Sequence, residues 1–88
     1  MRAFLIHDEG HPMLVAALEQ QLLGFLSELG VSAKTDWYWD DNPETGTEYG
    51  VWFELPGLAP WTFTEVARIV FRHFASIYGD LVRVEVNT

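Results

Sequence analysis

The sequence predicts a single α+β domain, and three observations lead there. Three short segments alternate apolar and polar residues with the two-residue period of a strand, and a fourth, at the N-terminus, is apolar on both faces. Two longer segments repeat apolar residues at intervals of three and four, the period of an amphipathic helix. The halves 1–39 and 48–86 each order these segments as strand, helix, strand, within 88 residues that suffice for one domain and not for two.

Residues 1–7 form the first strand. Arg2, Phe4 and Ile6 face one side and Ala3, Leu5 and His7 the other, both largely apolar, as in a central strand covered on both faces. Asp8 to His11 make a turn. Pro12 then opens a helix at the position where a missing N–H removes no bond. Over 12–29 the stripe is Val15, Leu18, Leu22, Phe25 or Leu26, and Leu29, widened by Leu14 and Leu23; Glu19, Gln20, Ser27 and Glu28 make the wet face. Gly30 closes the helix as a left-handed cap.

Over 31–39, Val31, Ala33, Thr35, Trp37 and Trp39 share one face, and Ser32, Lys34, Asp36 and Tyr38 the other. A breaker-rich turn at 40–47 leads to a third strand at 48–55, with Tyr49, Val51, Phe53 and Leu55 against Gly50, Trp52 and Glu54. Two alternating runs across a short polar loop read as an antiparallel hairpin. Pro56 to Pro60 break the strand. Thr62 and Glu65 have the spacing of a capping box, in which hydroxyl and carboxylate satisfy free backbone donors reciprocally. The second helix runs from there to Tyr78 with the stripe Phe63, Val66, Val70, Phe74 and Ile77, and Gly79 caps it. The last strand, 81–86, points Val82, Val84 and Val86 inward.

The order strand, helix, strand, strand, helix, strand has a simple closed solution. It is a ferredoxin-like βαββαβ two-layer sandwich: a four-stranded antiparallel sheet, strands one and three central, both helices on one face. That architecture hosts enzymes, metal carriers, RNA binders and regulatory modules alike, so function has to be argued from side chains.

Charge is the first such argument. Thirteen acids against five bases give a net charge of −8, which repels nucleic acid and anionic membranes and attracts basic surfaces. There is no cysteine, hence no disulfide or thiolate metal site. The longest uncharged apolar stretch, Pro12 to Leu18, is far short of the ~20 residues that span a bilayer, and the N-terminus lacks the apolar run of a signal peptide. The expectation is a soluble, cytoplasmic chain.

Two constellations could carry chemistry. His7, Asp8, Glu9 and His11 gather four ligand types within five residues, in a set that suits zinc, nickel or manganese; the competing reading is a polar loop whose acids complement the helix N-terminus. Segment 36–54 holds Asp36, Asp40, Asp41, Glu44, Glu48 and Glu54 without a single base, interleaved with Trp37, Tyr38, Trp39, Tyr49 and Trp52. Aromatics give rigid contact area and acids steer a basic partner. If Trp37 and Phe53 point to the core, alternation leaves Tyr38 and Trp52 on the open face. The competing reading is core aromatics with charges guarding an edge strand. Aromatics on an open sheet face are shared with RNA-binding sheets, but the glycine-rich aromatic signature is missing and the charge has the wrong sign. Arg68 and Arg72 with Glu65 read as a solvated helix face. Phosphate loops and nucleophile elbows are absent, and no cofactor is implied.

In size and charge the chain resembles small inhibitor proteins, such as immunity proteins and phage-encoded anti-defence (anti-CRISPR-like) proteins. That resemblance implies a basic, nucleic-acid-binding protein as target and covers no particular residue. The expected function is a non-enzymatic interaction module, an acidic inhibitor or regulatory protein. It would engage a basic protein through Asp36, Tyr38, Asp40, Asp41, Glu44, Glu48, Trp52 and Glu54. The alternative expectation is a dimeric metal- or small-ligand-binding domain, using the His7–His11 loop or the open sheet face, where a homodimer would also cover Tyr38 and Trp52.

Overall fold

The computed structural model describes residues 1–44 and 46–87. Its elements are β1 (Arg2–His7), α1 (Pro12–Glu28), β2 (Lys34–Asn42), β3 (Gly46–Glu54), α2 (Pro60–Tyr78) and β4 (Val82–Asn87), with a 3-10 turn at Gly79–Leu81 before the last strand. The strands form one antiparallel sheet in the order β2-β3-β1-β4. This is the ferredoxin-like α+β sandwich, with β1 and β3 central and β2 and β4 at the edges.

Register sorts every strand residue onto one of two faces. Ala3, Leu5, Val51, Phe53 and Val82 share a face and pack with Val15, Leu18, Leu22 and Leu26 of α1 and with Phe63, Val66, Ala67, Val70 and Phe74 of α2. Both helices therefore cover the same side. They also hold each other: Phe25 stacks on His73 with ring centroids 4.0 Å apart, and the Tyr78 hydroxyl donates to Gln21 Oε1 at 2.8 Å. His73 thus has an aromatic partner between the helices. At the end of α1, Gly30 takes φ 77°, its N–H donates to the Ser27 carbonyl, and the Val31 N–H donates to the Leu26 carbonyl. That is the paired-bond cap that a glycine at this position permits. No helix is long and apolar enough, among the described residues, to cross a membrane.

Three sequence expectations, and one competing reading, are corrected. First, α2 starts at Pro60, with Ala59 as its N-cap and no side-chain cap bond. Proline's fixed φ sets the first helical residue, so Thr62 falls inside the first turn and the capping box does not form; nearby, the Thr64 hydroxyl donates to the Pro60 carbonyl at 3.0 Å. Second, the hairpin strands extend into the expected turn. Pairing continues through Asp41↔Thr47 to Asn42↔Gly46. The Thr47 hydroxyl bonds the Asp41 carboxylate, the Glu44 N–H donates to Asn42 Oδ1, and Gly46 takes φ 88°, all favouring a tighter reversal. Thr45, in the expected turn, lies outside the described residues. Third, Ile77 and Leu29 are exposed while Ala67 is buried, because each apolar stripe is covered only where its helix faces the sheet. Fourth, Trp37 and Trp39 lie on the helix side yet are 39% and 64% exposed. α1 reaches β2 at Thr35, whose hydroxyl donates to Glu19 at 3.2 Å, and the two tryptophans sit farther along that uncovered edge.

Candidate interaction surface

The face opposite the helices is built from the other parity of every strand. Its middle row is Tyr38, Gly50, Ile6 and Arg83, and the next is Asp36, Trp52, Phe4 and Glu85. Tyr38 on β2 and Phe4 on β1 are separated by β3, a span of roughly 10 Å at ordinary strand spacing. Their rings nonetheless meet edge to face, with centroids 4.9 Å apart. Gly50, paired with Tyr38 on one side and Ile6 on the other, lies between them in the middle row and carries no side chain. No helix covers Ile6, yet it is only 1% exposed. Side chains of the open face therefore form a thin second apolar layer. Trp52 belongs to it, and the Arg2 guanidinium lies 3.8 Å over the Trp52 ring while bonding Glu54 at 3.3 Å. Such a stacked cation contributes about 0.5–1 kcal/mol at an exposed site.

Carboxylates surround this layer. Arg83 alone engages three of them: Asp8 at 3.0 Å, Glu48 at 2.6 Å and Glu85 at 3.1 Å. Partial burial pulls its pKa down, but the hydrogen bonds and negative charges of Glu48 and Glu85 together outweigh burial and leave it above the ordinary value. Asp36 and Asp40 are exposed and make no ion pair among the described residues. With Asp8, Glu48, Glu54 and Glu85 they outnumber Arg2, Lys34 and Arg83 on this face, leaving a surplus of negative charge beside the aromatics.

Tyr38 registers that environment. Burial first, then the charges of Asp40, Glu48 and Glu85, hold its phenol above the usual pKa of 10.0. The fold thus favours the protonated phenol. The stability this confers is complete below the unfolded-state pKa and is lost as pH rises through the higher folded-state value. Denaturant titrations from about pH 9 to about pH 11 are expected to show a smaller loss of stability for Tyr38→Phe than for the wild type. Equal slopes would remove Tyr38 from this linkage.

Of the residues singled out by sequence, Asp36, Tyr38, Asp40, Glu48, Trp52 and Glu54 share the open face. Asp41 pairs with Thr47 on the opposite face, and Glu44 sits in the turn. Phe4, Arg2, Arg83 and Glu85 complete the surface from β1 and β4. Only the strand order, not the hairpin, could have brought them in. The four residues of the His7–His11 loop are not brought together. His7 is buried, accepts the Glu9 N–H at Nδ1 and meets Tyr78 with the two rings nearly perpendicular. Asp8 turns to Arg83, and His11 caps α1 by accepting the Leu14 N–H at 3.4 Å. Among the described residues no group of three or more histidine or carboxylate side chains is placed to hold an ion.

Comparisons with protein-family models, curated proteins and solved structures find no match.

Proposed function

We propose that this chain is a non-catalytic interaction module, an acidic inhibitor or regulatory protein that binds a basic protein through its open sheet face. One observation carries the reading. A half-buried aromatic layer of Phe4, Tyr38 and Trp52 sits among carboxylates, and the face's two arginines are already held by those carboxylates, while Asp36 and Asp40 have no cation among the described residues. Flat aromatic area supplies desolvation energy, and the unpaired acids supply attraction and orientation toward lysine and arginine.

The test is affinity capture from host lysate with three baits: wild type, Asp36→Lys/Asp40→Lys, and Trp52→Ala. Each bait is first checked for folding by circular dichroism. A basic protein is expected on the wild type, weakened by at least about tenfold on either variant, with raised salt acting in the same direction. A partner held equally by all three baits would locate binding away from this face.

A further inference from the structure

Strand β4 has β1 on one side and, among the described residues, no strand on the other. Along it runs a groove of about 210 Å³ between α2 and β4, lined by Thr64, Ala67, Arg68, Phe71, Val84 and Val86. Phe71 and Val86 are exposed there. Natural edge strands are commonly blunted by charge, proline or a bulge. The other edge, β2, follows that rule with Asp36, Asp40 and Asp41 against Lys34. The β4 sequence, Val82-Arg83-Val84-Glu85-Val86-Asn87, is charge-balanced and alternating.

We infer that the free edge of β4 joins a second copy of this chain, antiparallel, about a two-fold axis at Val84, giving one sheet continuous across both copies. A two-fold axis perpendicular to the sheet keeps all the helices on one side and makes the contact self-complementary. With Val84 opposite itself, Val82 faces Val86 on the helix side. On the open side Arg83 and Glu85, bonded to each other within each chain, face Glu85 and Arg83 of the other copy, so the four charges alternate in sign around the axis. The neighbouring registers that preserve the faces set Glu85 against Glu85 or Arg83 against Arg83, so charge selects the Val84 register. Two copies of net charge −8 repel at a distance, and this pairing brings them together along a strand of no net charge. On the helix side, Phe71 and Val86 of each copy lie toward the groove of the other, so apolar area exposed in the monomer is covered. The interface leaves Asp36 and Asp40, on the far edge, free, and it stands independently of the proposed partner.

Sedimentation across a concentration series at moderate salt tests this. The wild type is expected to reach twice the chain mass. Glu85→Arg sets like charges opposite each other in both arms, and Phe71→Asp puts a carboxylate at the groove. Each is expected to weaken self-association at least about tenfold, with circular dichroism confirming the fold. If one of the two variants fails to fold, the other decides. Trp39→Ala and Trp52→Ala, away from β4, are expected to leave the dimer intact. A wild type that stays monomeric at every concentration, a dimer that survives the folded β4-edge variants, or one that either tryptophan variant dissolves would overturn the inference.

Discussion

Phe53→Ala is expected to cost about 3–5 kcal/mol of folding stability. That is a large share of the roughly 4–13 kcal/mol that a domain of this length possesses. Phe53 is fully buried on the helix side of central strand β3. Its cross-strand neighbours are Ala3 on β1 and Thr35 on β2, both small, and Phe63 of α2 lies above at a centroid distance of 6.0 Å. The ring fills space that small flanking residues leave open. Truncation would leave a cavity that the neighbours are too short to refill, while β3, paired on both sides, cannot sink into it. Such losses scale with the cavity that remains, which places this site at the costly end. Urea denaturation is the measurement, with an unchanged slope showing that the midpoint shift reports stability. Trp37→Ala provides the contrast. Trp37 is a larger side chain on the same face of the same hairpin, but it is 39% exposed, so its truncation opens no enclosed cavity and is expected to cost less than Phe53→Ala. A Trp37 variant less stable than the Phe53 variant would refute this assignment of the core.

Phe53 and Trp37 also mark what a sequence can and cannot disclose. Alternation is a local property: it groups Trp37 with Thr35 on one face of β2 and Phe53 with Val51 on one face of β3, and the packing of the helices is what makes these the helix side. Whether a residue on that side is buried depends on where α1 lies, and α1 bonds β2 at Thr35, with no side-chain bond farther along the strand among the described residues. The same limit explains the second helix. Thr62 and Glu65 have the right spacing for a capping box, but Pro60 moves the N-cap three residues earlier, to Ala59. The spread of the open face follows from similar reasoning. Asp36, Tyr38, Glu48, Trp52 and Glu54 share a face by parity within one hairpin, which is visible locally. Asp41 has the parity of Trp37 and Trp39, so carrying the alternation two residues past Trp39 would have removed it. Arg83 bonds Asp8 across 75 positions and Glu48 across 35. Contacts of that range follow from strand order, which side-chain pattern alone restricts but does not specify.

Gly50→Ala is expected to destabilise the fold by about 3 kcal/mol or more, at or above the top of the usual range for overpacking. A Cβ at residue 50 would run into the Leu5 carbonyl oxygen and lie 3.1 Å from Ile6 Cα. Both obstacles are backbone atoms of β1, the strand paired with β3, so no rotamer change relieves them. The strands must move apart, and β1–β3 pairing is the centre of the sheet. At roughly 4–8 °C of melting temperature per kcal/mol for a domain of this size, the midpoint should fall by at least ~12 °C. Gly24→Ala is the control, because a Cβ there, on the exposed side of α1, meets nothing within 4 Å. The identical substitution is expected to stabilise by about 0.5–1 kcal/mol through helix propensity. Gly50→Ala also tests the surface. Tyr38 crosses residue 50 to reach Phe4, so forcing β1 and β3 apart should separate the two rings and return the Tyr38 phenol toward its ordinary pKa. That change is readable as an earlier phenolate absorbance rise on alkaline titration. A Gly50→Ala chain as stable as the wild type, with an unshifted Tyr38 titration, would mean that β1 and β3 do not approach so closely and that the aromatic layer needs another support.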